Sequence, residues 1–143
     1  MKIIEEIKKG VLAHYLTTTL NTVDAIPFYQ DHVANDTKYP IIVFKHIASN
    51  YNYAMPNVND SHPNGYNYAR SRWRFTIYSN DRQNMNLEDI SDRLEDAFHR
   101  VLLTFSNGVT HIGTYIVDSR TDFWDQQQKI WMVHQDYVIF AGQ

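Results

Sequence analysis

Near the start of the chain the apolar residues Ile3, Ile4, Ile7, Val11, Leu12, Tyr15 and Leu16 recur at helical spacing, while Lys2, Glu5, Glu6, Lys8 and Lys9 fill the opposite side. The spacing predicts an amphipathic opening helix. β-Branched Thr17, Thr18 and Thr19 weaken it, and Asn21 through Pro27 read as its exit loop. The period then shortens to two. Phe28 to Val33 suits a short strand and Ile41 to Ile47 a longer one, with Asn35-Asp36 as turn chemistry between them and Tyr39-Pro40 fixing the longer strand's start. In "RSRWRFTIYSND", Arg70 to Asp81, alternation places Arg70, Arg72 and Arg74 on one face and Trp73, Phe75 and Ile77 on the other.

Asn86 with Asp89 forms an approximate capping box that opens a second helix. Leu87, Ile90, Leu94, Phe98, Val101, Leu102 and Phe105 share one of its faces, and Asn107-Gly108 is its expected end. Two strands close the chain, His111 to Asp118 and Lys129 to Ala141, the second with Trp131, Val133, Tyr137 and Ile139 on one side. The order α-β-β-α-β-β predicts an α+β fold, a mainly antiparallel four-stranded sheet with two helices packed on one face. The expected core joins Ile7, Leu12 and Leu16 to Leu94, Phe98 and the aromatic face of the sheet.

Asn50 to Asn67 breaks both periods. It is rich in Asn and Tyr, contains Pro56, Pro63 and Gly65, and predicts a long loop at about residues 49–69 inside one domain spanning 1–143. A connection of that length within a compact domain is usually functional or disordered. Tyr51, Tyr53, Tyr66 and Tyr68 are therefore candidate docking residues, expected to become ordered on a partner.

Composition narrows the function classes. A chain of 143 residues, 43% hydrophobic and 14% aromatic, suits one domain with a substantial core. Thirteen Lys and Arg against 16 Asp and Glu give a formal net charge of -3, which argues against a surface that grips phosphate all over. A local basic patch stays compatible with that balance. The absence of cysteine excludes a disulfide framework, a thiolate metal site and a cysteine nucleophile, and suits intracellular assembly. Charges interrupt every apolar pair of MKIIEEIKKG, and no apolar run is long enough for a bilayer, so a soluble protein without a membrane partner is expected. The sequons at Asn35 and Asn59 are chance matches in a chain that is not secreted.

Little in the sequence nominates a reaction. Glu88, Asp89, Asp92, Glu95 and Asp96 form an acidic cluster, but Asp89 to Arg93, Glu95 to His99 and Asp96 to Arg100 are each four apart, the spacing of helix-surface pairs. His134 and Asp136 share a strand face, and His111 or Asp118 on the neighbouring strand would complete a metal site, yet no ligand motif such as HExxH backs it. GxSxG, glycine-rich phosphate loops and Walker sequences are absent. No catalytic residue, metal or cofactor is expected, and the chain reads as a non-enzyme.

The opening helix, "KYPIIVFKHI" after the short "FYQDHV" segment, "RWRFTIYSND" running directly into "NLEDISDRLEDAFHRV", and the closing "DYVIFA" strand together resemble the phage tail terminators, also called tail-completion or head-tail joining proteins. The resemblance covers nearly the whole chain and rests on order, spacing and the strand entry at Tyr39-Pro40-Ile41. It implies a structural virion protein without enzymatic activity, assembled in the host cytoplasm. Such a protein forms a ring with itself, usually a hexamer, on the head-proximal end of a tail tube. There it ends polymerisation of the tube protein and meets the head connector or head-completion protein, while DNA passes through without sequence-specific binding.

Two helices cover only one face of such a sheet. The other face carries Arg70, Arg72 and Arg74 beside Met132, His134, Asp136, Val138 and Phe140, a mixture of charge and apolar area that favours a partner. Arg70, Arg72, Arg74, His134 and Asp136 are therefore the candidate residues for a subunit or tube interface, with carboxylates such as Asp122 and Asp125 of an adjacent copy as counterparts. The alternative from another class is a small nucleic-acid-binding module that combines the arginine strand with Tyr66, Tyr68 and Trp73. An enzyme built on His134 and Asp136 is a third reading.

Overall fold

The computed structural model of the chain describes residues 2–31, 39–53, 67–80, 87–127 and 129–142. Helix α1 (Lys2–Thr17) buries Ile3, Ile7, Val11 and Tyr15, a stripe of i,i+4 positions pressed onto the sheet. Leu12 and Leu16, expected in that core, stay 41% and 53% exposed because each stands about 100° around the helix from the buried stripe. The helix stops where the hydroxyls of Thr17 and Thr18 donate to the carbonyls of His14 and Tyr15, both at 2.7 Å, in competition with the backbone ladder. A single further turn, α2 (Thr19–Thr22), follows and buries Leu20.

Five strands form one sheet: β1 (Phe28–Gln30), β2 (Ile41–Tyr53), β3 (Asn67–Ser79), β4 (Thr110–Asp125) and β5 (Ile130–Gly142), in the order β1-β2-β3-β5-β4. The sheet is mainly antiparallel, as expected, but it has five strands rather than four and is mixed, because β1 adds a short parallel edge strand. Short β1 runs parallel to β2, with Phe28 opposite Ile42 and Gln30 opposite Phe44, whereas every other pairing is antiparallel. Alternation marks which residues face the core but carries no record of strand direction, so the parallel pairing was invisible to it. The peptide bond between Tyr39 and Pro40, where β2 was expected to begin, is cis.

Part of the expected loop is strand. Ser49, Asn50, Tyr51, Asn52 and Tyr53 pair in register with Ser71, Arg70, Ala69, Tyr68 and Asn67, which extends the β2–β3 ladder well past Ile47. Tyr51, Tyr53 and Tyr68 are thus held on a backbone ladder, while Tyr66 and the rest of 54–66 lie outside the described residues. The Asn35-Asp36 turn also falls outside them.

Helix α3 (Leu87–Phe98) lies beside α1 and buries Leu87, Ile90, Leu94 and Phe98. It ends two turns before the expected stop at Asn107-Gly108. Tertiary partners capture the groups that would continue it: the Arg100 N–H donates to the Thr114 carbonyl at 2.8 Å, and Arg100 itself adopts φ +58°. Val101, Leu102 and Phe105 therefore belong to an irregular segment, in which Leu103 is buried and Leu102 is exposed. Asn107 and Gly108, both at positive φ, instead turn the chain into β4, and the Asn107 amide donates to Glu6 Oε1 at 2.8 Å.

Aromatic rings fill the space between helices and sheet. Tyr15 stacks on Phe28 at 4.1 Å and Phe28 on Phe44 at 4.7 Å, while Phe75 meets Phe98 edge-on at 4.9 Å. Buried polar groups are satisfied within this layer. Gln135 donates to the Ser91 carbonyl at 2.8 Å and accepts from the Tyr137 hydroxyl at 2.8 Å, which ties β5 to α3.

Two histidines fasten the segment after α3 to β4 as acceptors of backbone protons. Leu103 N–H donates to His111 Nδ1 at 3.1 Å and Ile116 N–H to His99 Nδ1 at 3.0 Å. Protonating His111 would set one N–H against another, and burial holds its pKa below the ordinary 6.5. Because the unfolded chain then takes up the proton first, this stabilisation is complete above about pH 6.5 and is lost as pH falls through the lowered folded value. His46, also lowered by burial, adds in the same direction. The urea midpoint is expected to be lower at about pH 5.5 than at about pH 7.5, with a shallower slope in His111→Gln. A pH-independent midpoint across that window would contradict the acceptor role of His111.

Candidate subunit interface on the helix-free sheet face

The helices pack on one side of the sheet, and the pleat sends alternate residues to the other. On β3 these are Arg70, Arg72, Arg74, Thr76 and Tyr78, opposite Phe140, Val138, Asp136, His134 and Met132 of β5. On β2 a bulge between His46 and Ala48 resets the alternation, so Lys45 stands opposite Arg74, Ala48 opposite Arg72 and Asn50 opposite Arg70. On β4, Tyr115 and Asp118 join the face opposite Val138 and Asp136.

Asp136 organises the centre of this face. Its side chain is 2% exposed and accepts from both flanking arginines. Arg72 reaches Oδ2 through Nη2 at 2.7 Å and Nε at 3.1 Å. Arg74 reaches Oδ1 through Nε at 2.8 Å and Oδ2 through Nη2 at 3.2 Å. Burial by itself would raise the Asp136 pKa, but the hydrogen bonds from Arg74 and Arg72, together with their charges, hold it below the usual carboxylate range. Asp136 is therefore an anion at neutral pH, and two planar forks are locked over it.

This adds an intrachain partner to the expectation that the stripe meets carboxylates of another molecule. Arg72 and Arg74 already find one in their own chain, on β5. Arg72→Glu would accordingly place a second carboxylate against a buried one, and the fold would not tolerate it as an outward-facing strand position should. Both guanidinium groups still reach solvent, with side-chain exposures of 44% for Arg72 and 35% for Arg74. Arg70 differs from them. It is exposed at the end of the stripe beside Asn50 and Phe140, and it has no ion pair among the described residues.

The other candidate groups scatter. His134 stays on this face, where its Nδ1 shares a 2.8 Å hydrogen bond with the Thr76 hydroxyl. Asp118 lies opposite Asp136, but His111 pairs with Ala141 at the far end of the ladder. The four residues considered as metal ligands are thus not gathered, and the described residues include no cluster of three or more His, Asp or Glu arranged to hold a metal ion. Trp73 is fully buried on the helix side, so it cannot join the arginines in a stacking platform for bases. On α3, Arg93 pairs with Asp24 at 2.5 Å and Asp89 at 3.6 Å, while His99 is engaged by β4. Of the three expected helix pairs, only Asp89 with Arg93 forms among the described residues.

Sequence reasoning identified the stripe but missed the role of Asp136. A signal was present: Arg-x-Arg on one alternating strand and an acid on the same face of another. Only the strand register reveals that the acid falls directly opposite Arg74 and diagonal to Arg72, within reach of both guanidinium groups.

The molecule is thus an α+β domain with one helix-covered sheet face and one open, positively charged face. No helix among the described residues is long and apolar enough to cross a membrane. No family model matches the sequence, and no curated protein matches it. Among solved structures, the fold is shared with a chain described as "Virion of native gene transfer agent (GTA) particle". The TM-score is 0.75 at 8% identity, over 99% of this chain and 98% of that one. At that identity the likeness is one of fold.

Proposed function

We propose that this chain is a structural protein of a phage-like virion, specifically a tail terminator. In this reading a ring of copies, a hexamer by the family resemblance, caps the head-proximal end of a tail tube. It ends tube polymerisation and offers the surface that meets the head connector. The observation that carries the reading is the shared fold with a virion chain, end to end, with almost nothing left over on either side. The order and spacing of elements that resemble tail terminators, and the open sheet face with its rigid arginines, support it independently. No reaction is assigned, and none of the contacts described calls for one.

DNA threading such a ring should slide, and each phosphate neutralised by the protein would add affinity and slow it. The formal net charge of -3 and the partial neutralisation of Arg72 and Arg74 by Asp136 suit that demand. Electron microscopy of tails made with and without this gene product tests the proposal. Overlong or ragged tubes without heads are expected in its absence, and tails of normal length that join heads would refute it.

A further inference from the structure

We infer that the helix-free sheet face binds the outer side of α3 from a second copy of this chain. The inference rests on the ring reading above and names the two surfaces that meet. Over the centre and the Arg70 end of the sheet face, the described side chains include four cations, Lys45, Arg70, Arg72 and Arg74, against the two carboxylates Asp118 and Asp136, a local surplus of two positive charges. Asp125 lies toward the other end of the sheet, near Tyr78. Asp136 takes two hydrogen bonds from each of two guanidinium groups, so most of their donors remain available to a further acceptor.

The outer side of α3 is the electrostatic complement. Five acids, Glu88, Asp89, Asp92, Glu95 and Asp96, accompany one cation, Arg93, which is turned toward Asp24 and Asp89. Asp92 and Asp96 are exposed, lie four residues apart and have no ion pair among the described residues. Like charges at that spacing weaken an isolated helix, and a cationic partner reverses the penalty.

These surfaces lie on opposite sides of the sheet. Leu94 and Phe98 anchor α3 to the core side, while the arginines point away from it. Pairing them makes a head-to-tail contact that every copy can repeat, closing as a ring where the rotation fits. A two-fold dimer through the sheet face would instead oppose arginines to arginines, which is repulsive. The contact therefore selects a repeating assembly over a closed pair.

Arg70 provides a clean test, since it has no ion pair among the described residues that its loss would break. Sedimentation velocity of the purified chain at low salt is expected to show oligomers that dissociate at about 0.5 M salt. Arg70→Glu should weaken association at least tenfold while circular dichroism and the urea midpoint stay unchanged, and Asp92→Lys with Asp96→Lys should do the same. Combining all three reversals should restore association, because the charges at positions 70, 92 and 96 are then exchanged between the two surfaces and attract again. A wild-type chain that remains monomeric, an Arg70→Glu chain that assembles normally, or a combination that fails to recover would overturn the inference. So would an Arg70→Glu chain that assembles normally but no longer retains single-stranded DNA, which would assign the face to nucleic acid. Rings that survive Arg70→Glu leave the terminator proposal standing, whereas tails of normal length without the gene product refute that proposal whatever the ring contact.

Discussion

Phe98→Ala is expected to lower the stability of the domain by about 3 to 5 kcal/mol, the range for removing a buried aromatic ring from a core that cannot collapse around the void. Phe98 is fully buried in the last turn of α3. Its ring meets Phe75 of β3 at 4.9 Å, His14 of α1 at 5.1 Å and Tyr137 of β5 at 6.3 Å. One side chain thus joins both long helices to the sheet. His14 adds a hydrogen bond from Nε2 to the Ala97 carbonyl at 2.7 Å, so a shift of α3 would disturb a polar contact as well. A loss of this size is a large share of the roughly 5 to 15 kcal/mol that stabilises a domain. Urea midpoints measure it, and Phe98→Leu supplies a milder variant if the alanine form does not fold. A loss below about 1 kcal/mol in the alanine variant would mean that α3 is not anchored through this ring.

Asp136→Ala is expected to destabilise by about 2 to 4 kcal/mol, because breaking a buried ion pair leaves the remaining charges without their partner. The figure sits toward the low end since Arg72 and Arg74 are partly exposed and can regain water. Asp136→Asn should cost nearly as much, as the amide would set an N–H₂ group against guanidinium donors. Acid should mimic the substitution. A carboxylate whose folded pKa is lowered stabilises fully above its ordinary value of 3.8 and loses that contribution as pH falls through the folded value. The acid limb of the stability profile should therefore be flatter in Asp136→Asn than in the wild type. If Asp136→Ala shifts stability by less than about 0.5 kcal/mol, the cluster behaves as an ordinary surface ion pair.

Placement of the arginines changes how such substitutions are read. Arg70 and Arg72 are two residues apart on one strand and look equivalent in sequence, yet only Arg72 is bound to Asp136. Effects of Arg72 variants on assembly mix with effects on the fold, whereas those of Arg70 variants do not. The search for an interface therefore begins at the end of the stripe rather than at its centre.

Local periodicity by itself determined that this chain forms an opening amphipathic helix, a central acidic helix and long alternating strands, since the spacing of Ile3, Ile7 and Val11, or of Trp73, Phe75 and Ile77, allows few other ways of burying them. It also determined that the arginines of β3 share the face opposite the core. Tertiary structure decided what periodicity cannot encode. It set β1 parallel to β2, because strand direction leaves no trace in alternation. It ended α3 at Phe98, because β4 supplies partners for His99 and Arg100 that outcompete a further helical turn. It also brought Asp136 within reach of Arg72 and Arg74, residues more than 60 positions apart in the chain, because only the β3–β5 register fixes which side chains become neighbours.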